Sequence, residues 1–333
     1  MTSVRKIAAL AGVSISTVSL VMNDKPGVSE QTRQAVREVI RKLQAQERAV
    51  PRIDGTRPLS IVVLHPPVLT SYYVFSQVMQ GIQAAAEANR LRLSLVANDP
   101  NASKQHISYQ YLTDPNLRPD GVLIFGARRH EPLIAEALAA GIPCVVLGRD
   151  AEKYNVSGLG RREDVAAYEA AKYLIDLGHK AIGFAGGEEI FDYVHNRLKG
   201  YKRALQDADI TPAPKWVCLG NGAAATKTVL EKAPEITALM FVNDSFAADG
   251  LKVIAQKKLR IPDDLSVVSF DDTEIAEKHR PPLTSVAYNF FEEGQWAVKM
   301  LLDEIYNPYI EAVHTLFASG LVVRESCGAP RGK

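Results

Sequence analysis

The sequence predicts two structures in one chain: an all-α helix-turn-helix head, and behind it an α/β body of two doubly wound parallel-sheet lobes. Three observations carry this. Residues 3–43 show only helix-period patterns. Residues 44–58, QAQERAVPRIDGTRP, are polar and broken by Pro51, Gly55 and Pro58. From residue 59 onward, short aliphatic runs alternate with helix-length amphipathic segments, the pattern of strands buried on both faces of a parallel sheet.

The head is read as three helices. SVRKIAALAG takes Ser3 as its cap, Val4, Ile7, Ala8 and Ala11 as its apolar positions and Gly12 as its stop. SISTVSLVMN starts at Ser14 and is expected to set Val18, Val21 and Met22 on one face. SEQTRQAVREVIRKLQ is capped by Ser29 and repeats apolar residues at Ala35, Val36, Val39, Ile40 and Leu43. The three-residue turn GVS between the first two helices completes a helix-turn-helix unit.

In the body the aliphatic runs are 59–65, 92–97, 121–126, 143–148, 181–186, 238–243 and 266–271. Seven such units exceed one compact sheet, so the body divides near residues 155–160. The expected organisation is a head over 1–46, a linker over 47–58 and a body over 59–333. The first lobe takes about 59–157 and 290–318, the second about 158–289 and 319–330.

Charge is uneven along the chain. Residues 1–58 carry a net charge of +5, against −4 for the remainder and +1 overall. A basic head on a mildly acidic body suits a polyanion partner, although a solvated helical face has the same composition. The three cysteines, Cys144, Cys218 and Cys327, are too scattered for a disulfide framework. With no secretory signal pattern and no membrane-length apolar run, the expected place is the cytoplasm, on the nucleoid. Neither G-x-x-x-x-G-K-[ST] nor G-x-S-x-G occurs, and the seven histidines lack metal-site spacing. The reading therefore calls for no enzyme, no catalytic residue, no metal and no cofactor.

The second head helix is studded with hydroxyls at Ser14, Ser16, Thr17 and Ser19. In a helix-turn-helix that helix enters the DNA major groove, where short hydroxyl side chains donate to phosphates and reach base edges. Capping by Ser14 and ordinary surface polarity are the bland alternatives. Two parallel-sheet lobes place a ligand cleft at the C-terminal ends of their strands. Together these features point to a ligand-controlled DNA-binding protein rather than a plain solute-binding protein.

The stretch IAALAGVSISTVSLVMNDKPGVSEQTRQAV resembles the head signature of the lactose/galactose repressor (LacI/GalR) family. LIDLGHKAIGFAGG, NRLKGYKRAL, the long run ALMFVNDS to RPPLTSV, and GLVVRES extend the resemblance over nearly the whole chain. It implies a homodimeric regulator, usually a repressor, with a periplasmic-binding-protein-like body. The partners would be a pseudo-palindromic double-stranded operator and a small effector, most often a carbohydrate. The alternatives are a purine or nucleoside effector, or a protein co-regulator. The absence of a heptad tail after GLVVRES predicts a dimer.

The resemblance places base reading at Ile15 and Ser16, and phosphate contacts at Ser14, Thr17, Ser19, Asn23, Ser29 and Thr32. Leu20 stands where the family usually has an arginine, so Ile15 and Leu20 form an apolar reading edge for thymine methyl groups. The family's leucine-bearing hinge helix is poorly matched by the linker: Ile53 is the candidate minor-groove wedge, and the alternative, which the mismatch favours, is a linker that forms no hinge helix and leaves the duplex unkinked. For the effector, the resemblance marks Arg197, Asn243 and Asp271, whose fork, amide and carboxylate suit ligand hydroxyls. Tyr72, Tyr73, Phe75 and Tyr288 are the candidate aromatic walls. Helix capping by Asn243 and Asp271, and a core role for Phe75, are the alternatives. Arg161 and Arg162 replace the family's acidic-amide pair and hint at an acidic effector.

Overall fold

The computed structural model describes residues 4–22, 25–47, 57–66, 72–98, 105–126, 132–148, 154–188, 191–307 and 310–331. The head comprises α1 (Val4–Ala11), α2 (Ile15–Met22) and α3 (Glu30–Glu47). Its small core is Ile7, Ala8, Val18, Val21 and Val36, with Val39 and Ile40 packed on it. Met22 does not join this core and is 57% exposed. Successive helical residues point roughly 100° apart, so Val21 and Met22 cannot share one narrow face. Ser14 and Ser29 cap α2 and α3 alike, accepting from the backbone N–H of Thr17 at 3.1 Å and of Thr32 at 3.2 Å.

The first lobe contains β1 (Ser60–His65), α4 (Tyr72–Ala88), β2 (Arg92–Ala97), α5 (Ile107–Thr113), β3 (Gly121–Phe125), α6 (Pro132–Ala139), β4 (Cys144–Leu147) and β5 (Ser157–Arg161). The second contains α7 (Glu163–Asp176), β6 (Ile182–Ala185), α8 (Asp192–Asp207), β7 (Val217–Cys218), α9 (Gly222–Lys232), β8 (Ala238–Phe241), α10 (Asp244–Gln256), β9 (Ser266–Phe270), α11 (Glu274–Lys278) and β10 (Thr284–Ala287). The chain then returns through α12 (Phe290–Tyr306) and β11 (His314–Phe317) and ends its sheets with β12 (Gly320–Val322).

The two sheets repeat one plan, β11-β5-β4-β3-β1-β2 and β12-β10-β9-β8-β6-β7. All pairings are parallel except β12 on β10. The aliphatic runs become strands because both faces are covered: Ile61, Val62, Val63 and Leu64 of β1 are all buried, as are all four residues of β8. β5 pairs with β4 and β11 in the first sheet. The first crossing between lobes therefore falls after Arg161, beyond the expected division at 157/158. The later crossings fall between β10 and α12 and between β11 and β12, which gathers the crossovers at one edge of each sheet.

Two helix pairs are locked by backbone contact. α4 lies on α12 so closely that a Cβ on Gly81 would meet the Phe291 carbonyl oxygen at 1.9 Å, and one on Gly294 the Val78 oxygen at 2.1 Å. α7 lies on α8 in the same way, with Gly200 against the Asp164 oxygen.

Candidate functional site

In the head, Ile15 and Ser16 are exposed at the start of α2, with Ile15 at 50%. Ser19 is exposed, and Thr17 and Leu20 are half-buried. The Oγ of Ser14 shares a hydrogen bond with Thr17 Oγ1 at 2.9 Å, and Ser29 with Thr32 at 2.8 Å. Each helix N-terminus thus presents a Ser–Thr hydroxyl pair beside its first backbone N–H groups, an arrangement suited to phosphate oxygens. Asn23 and Ile53 lie outside the described residues, as does the side chain of Tyr72 at the start of α4.

The body's site is built at strand C-terminal ends. Asn243 and Asp244 follow β8, Asp271 follows β9, and Tyr288 follows β10. Arg197 reaches Asp271 and Tyr288 from the second turn of α8. Its guanidinium is 2% exposed, donates from Nε to Glu163 Oε2 at 2.6 Å and from Nη2 to Asp271 Oδ1 at 3.3 Å, and donates from Nη1 to the Val242 carbonyl. It lies 4.4 Å above the Phe270 ring centroid, 5.3 Å from that of Tyr193 and 5.7 Å from that of Tyr288. Tyr288 also donates to Glu163 Oε2, at 2.7 Å. Arg197 and Tyr288 thus come together on one carboxylate, and Asp271 joins the cluster through Arg197.

Electrostatics explain the arrangement. Burial works against the charged forms of both Arg197 and Glu163, but their mutual attraction outweighs it, raising the arginine's pKa well above normal and lowering the glutamate's. Burial also raises Asp271, which Arg197 only partly offsets, and it pushes the Tyr288 phenol well up, with the Glu163 charge adding to the effect. Asp271 and Asp272 sit at φ of 92° and 50°, in the left-handed region that non-glycine residues rarely adopt. Such strain is concentrated at ligand sites.

Asn243 is the N-cap of α10, accepting from the Phe246 N–H at 3.0 Å. The cap takes one lone pair of its oxygen and leaves the amide NH2 to donate. Asp244 is fully structural: it accepts from the Thr273 N–H at 2.7 Å and from Ser285 Oγ at 3.1 Å. Asp272 is paired with Arg324 at 2.6 Å.

On the opposite wall, Tyr73 of α4 is half-buried. Its phenol is raised first by burial and then by the charges of Asp272, Glu274, Asp244 and Glu277, all from the second lobe. Tyr73 therefore lies within electrostatic reach of that lobe's acidic residues. Phe75 instead packs between His65 at 5.1 Å and Phe125 at 5.4 Å, at the ends of β1 and β3, which serves the first lobe's own structure. Arg161 is not spare positive charge. It is bound by Glu293 at 2.7 Å, with Glu163 at 3.8 Å, so its hint of an acidic effector fails; Arg162 is exposed.

Sequence reasoning missed Glu163, Glu293, Phe270 and Tyr193. Among the described residues no group of three or more His, Cys, Asp or Glu could hold a metal ion, and no helix is long and apolar enough to cross a membrane.

Comparison with known proteins gives the same two parts. Residues 3–44 match the family model "Bacterial regulatory proteins, lacI family", and residues 171–327 match "Periplasmic binding protein-like domain". The chain is 31% identical over 335 residues to the ribose operon repressor of Haemophilus influenzae, covering 98% of both chains. It is 31% identical over 317 residues to the transcriptional repressor PurR of Vibrio cholerae, covering 92% of both. Among solved structures, a complex of the transcriptional regulator CelR with cellobiose superposes with a TM-score of 0.75 at 26% identity, covering 98% of this chain and 100% of that one.

Proposed function

Because the chain belongs to the LacI family of bacterial regulatory proteins, we propose that it is a transcriptional repressor acting on DNA in the cytoplasm, a homodimer controlled by a carbohydrate held between its lobes. Two heads read the half-sites of a pseudo-palindromic operator. Ser14, Thr17, Ser19, Asn23, Ser29 and Thr32 hold phosphates. Ile15 and Ser16 meet base edges, and Leu20 completes an apolar edge for thymine methyl groups. Ile53 is the minor-groove wedge only where the linker folds on DNA; otherwise the heads alone read the sequence.

The observation that carries the effector reading is the Arg197 guanidinium, caged by Phe270, Tyr193 and Tyr288 and shared between Glu163 and Asp271. A sugar presents an apolar ring face to aromatic walls and hydroxyls that both donate and accept. Arg197 and Asn243 supply donors, Asp271 accepts, and Tyr72, Tyr73 and Tyr288 supply walls. Phe75 supports the wall from behind. The ligand can change operator affinity only through its differential affinity for the lobe arrangements that bind and release DNA.

A second reading, a purine or nucleoside effector, is favoured by the likeness to PurR. A thermal-shift panel of pentoses, hexoses, disaccharides, purine bases and nucleosides separates them. A ligand at 100 times its Kd adds about 2.7 kcal/mol to stability. A rise with a sugar alone is the expected result; a rise confined to purines or nucleosides overturns the carbohydrate reading.

A further inference from the structure

The two locked helix pairs are joined by a line of buried charge of alternating sign. Glu293 of α12 accepts from Arg161 Nε at 2.9 Å and pairs with its Nη2 at 2.7 Å. Arg161 Nη1 lies 3.8 Å from Glu163 Oε1. The other oxygen of Glu163 accepts from Arg197 at 2.6 Å. Glu163, Arg197 and Glu293 are all buried, and Arg161 is 17% exposed over its side chain.

The ends of the line stand on rigid units. Glu293 belongs to the α4–α12 pair, which also carries Tyr73; Glu163 and Arg197 belong to the α7–α8 pair. Backbone contact at Gly81, Gly294 and Gly200 prevents either pair from sliding internally. Movement between the pairs must therefore be absorbed where the chain crosses between the lobes, and the end of β5 with the start of α7 is one of those crossings. The longest link of the line, 3.8 Å, is there. Buried ion pairs are poor contributors to stability compared with apolar packing of the same volume, so the arrangement calls for a role beyond holding the fold.

We propose that Arg161 and Glu293 are positioning residues for the effector response, carrying the state of Arg197 to the α4–α12 pair of the first lobe. This rests on the reading of Arg197 as the effector's ligand. A ligand oxygen that takes donors from Arg197 draws the guanidinium off Glu163. The carboxylate then turns to Arg161, the other cation it faces. Arg161 in turn loosens its hold on Glu293, and the first-lobe helix pair shifts against the second-lobe pair.

The test is a double-mutant cycle on full-length protein, with no sugar present. The Kd for a short duplex carrying the operator obtained by site selection is measured by fluorescence anisotropy at fixed salt for the wild type, E163Q, E293Q and E163Q/E293Q. A line broken once is broken: each single variant is expected to change Kd by about threefold or more, and the double variant to stay within about twofold of the larger single effect. The paired variant R161M/E293L leaves no lone buried charge and guards against misfolding; it is expected to match E293Q. Kd values all within about twofold of wild type, or single effects that multiply in the double variant, overturn the proposal. Because the readout needs no sugar, failure of the carbohydrate reading leaves this result standing by itself.

Discussion

Arg197 Nε and Glu163 Oε2 are 2.6 Å apart, which ties the second turn of α8 to the first residue of α7 inside the protein. Removing one partner of such a pair leaves a buried charge uncompensated, at a cost of about 3–5 kcal/mol. R197M is therefore expected to lower the urea midpoint strongly. E163Q should cost less, because an amide oxygen still accepts from Tyr288 and Arg197. The double variant should lose clearly less than the sum of the two. An additive double variant would mean that the pair is not the unit its geometry describes.

Asp244 gives a pH dependence of definite sign. Burial, and next the neighbouring Asp271 charge, push its carboxyl from 3.8 up to about 6. The folded protein thus binds this proton more tightly than the unfolded chain. The stability that protonated Asp244 confers is full below about pH 4 and is lost as pH rises through about 6. Other groups titrate in the same window, so the difference between wild type and D244N is the informative quantity. D244N resembles the protonated form. Its unfolding free energy should gain on that of wild type between pH 4.5 and 7, by an amount on the order of 2–3 kcal/mol. Parallel curves for the two proteins would show that Asp244 keeps an ordinary pKa.

The contrast between Asp244 and Glu163 shows which parts of the site were legible beforehand. Asn243, Asp244 and Asp271 could be placed because each follows an aliphatic run, and a run of that kind fixes where a strand ends. Ser14 and Ser29 were legible because capping is local chemistry. Glu163 was not. A glutamate behind two arginines reads as a wet helix start, and only the tertiary packing of α8 and β10 makes it the buried hub. β5 was invisible for a similar reason: in Ser157–Arg161 only Leu159 is large and apolar, and two glycines weaken any strand signal. Its conformation comes from β4 and β11 on either side. The first lobe consequently runs through Arg161, a few residues past the expected boundary.

The α4–α12 crossing is sensitive to a single methyl group. A Cβ at Gly294 would stand 2.1 Å from the Val78 carbonyl oxygen, and one at Gly81 1.9 Å from the Phe291 oxygen. Neither obstacle is a flexible side-chain end, so the helices must separate. Overpacking of this kind costs about 1–3 kcal/mol or more, against the few tenths to one that alanine gains over glycine in a helix. G81A and G294A are each expected to lower the thermal midpoint by several degrees, and the double variant by less than the sum, because the first separation makes room for the second. An unchanged midpoint in either single variant would refute the close crossing.

The head offers the sharpest test of specificity. Ile15 is half exposed at the start of α2, and Leu20 is half-buried one and a half turns later, where the family usually carries arginine. An arginine forms a bidentate contact with guanine O6 and N7, and such a contact discriminates by about 1–3 kcal/mol. L20R should therefore introduce a guanine preference at one symmetric pair of operator positions, at about 10- to 100-fold over the other bases. Ile15→Ala should relax the preference at a different pair, by the smaller amount expected for losing contact with a thymine methyl. Both follow from site selection on a randomised duplex with purified wild type and variants. The salt slope separates base reading from phosphate holding: Ile15→Ala leaves the number of phosphate contacts unchanged, so log Kd should shift while its dependence on log salt stays parallel to wild type. L20R should steepen that dependence only if its guanidinium lands on phosphate instead of a base. A steeper slope without a new guanine would remove Leu20 from the reading edge and leave Ile15 and Ser16 to specify the operator.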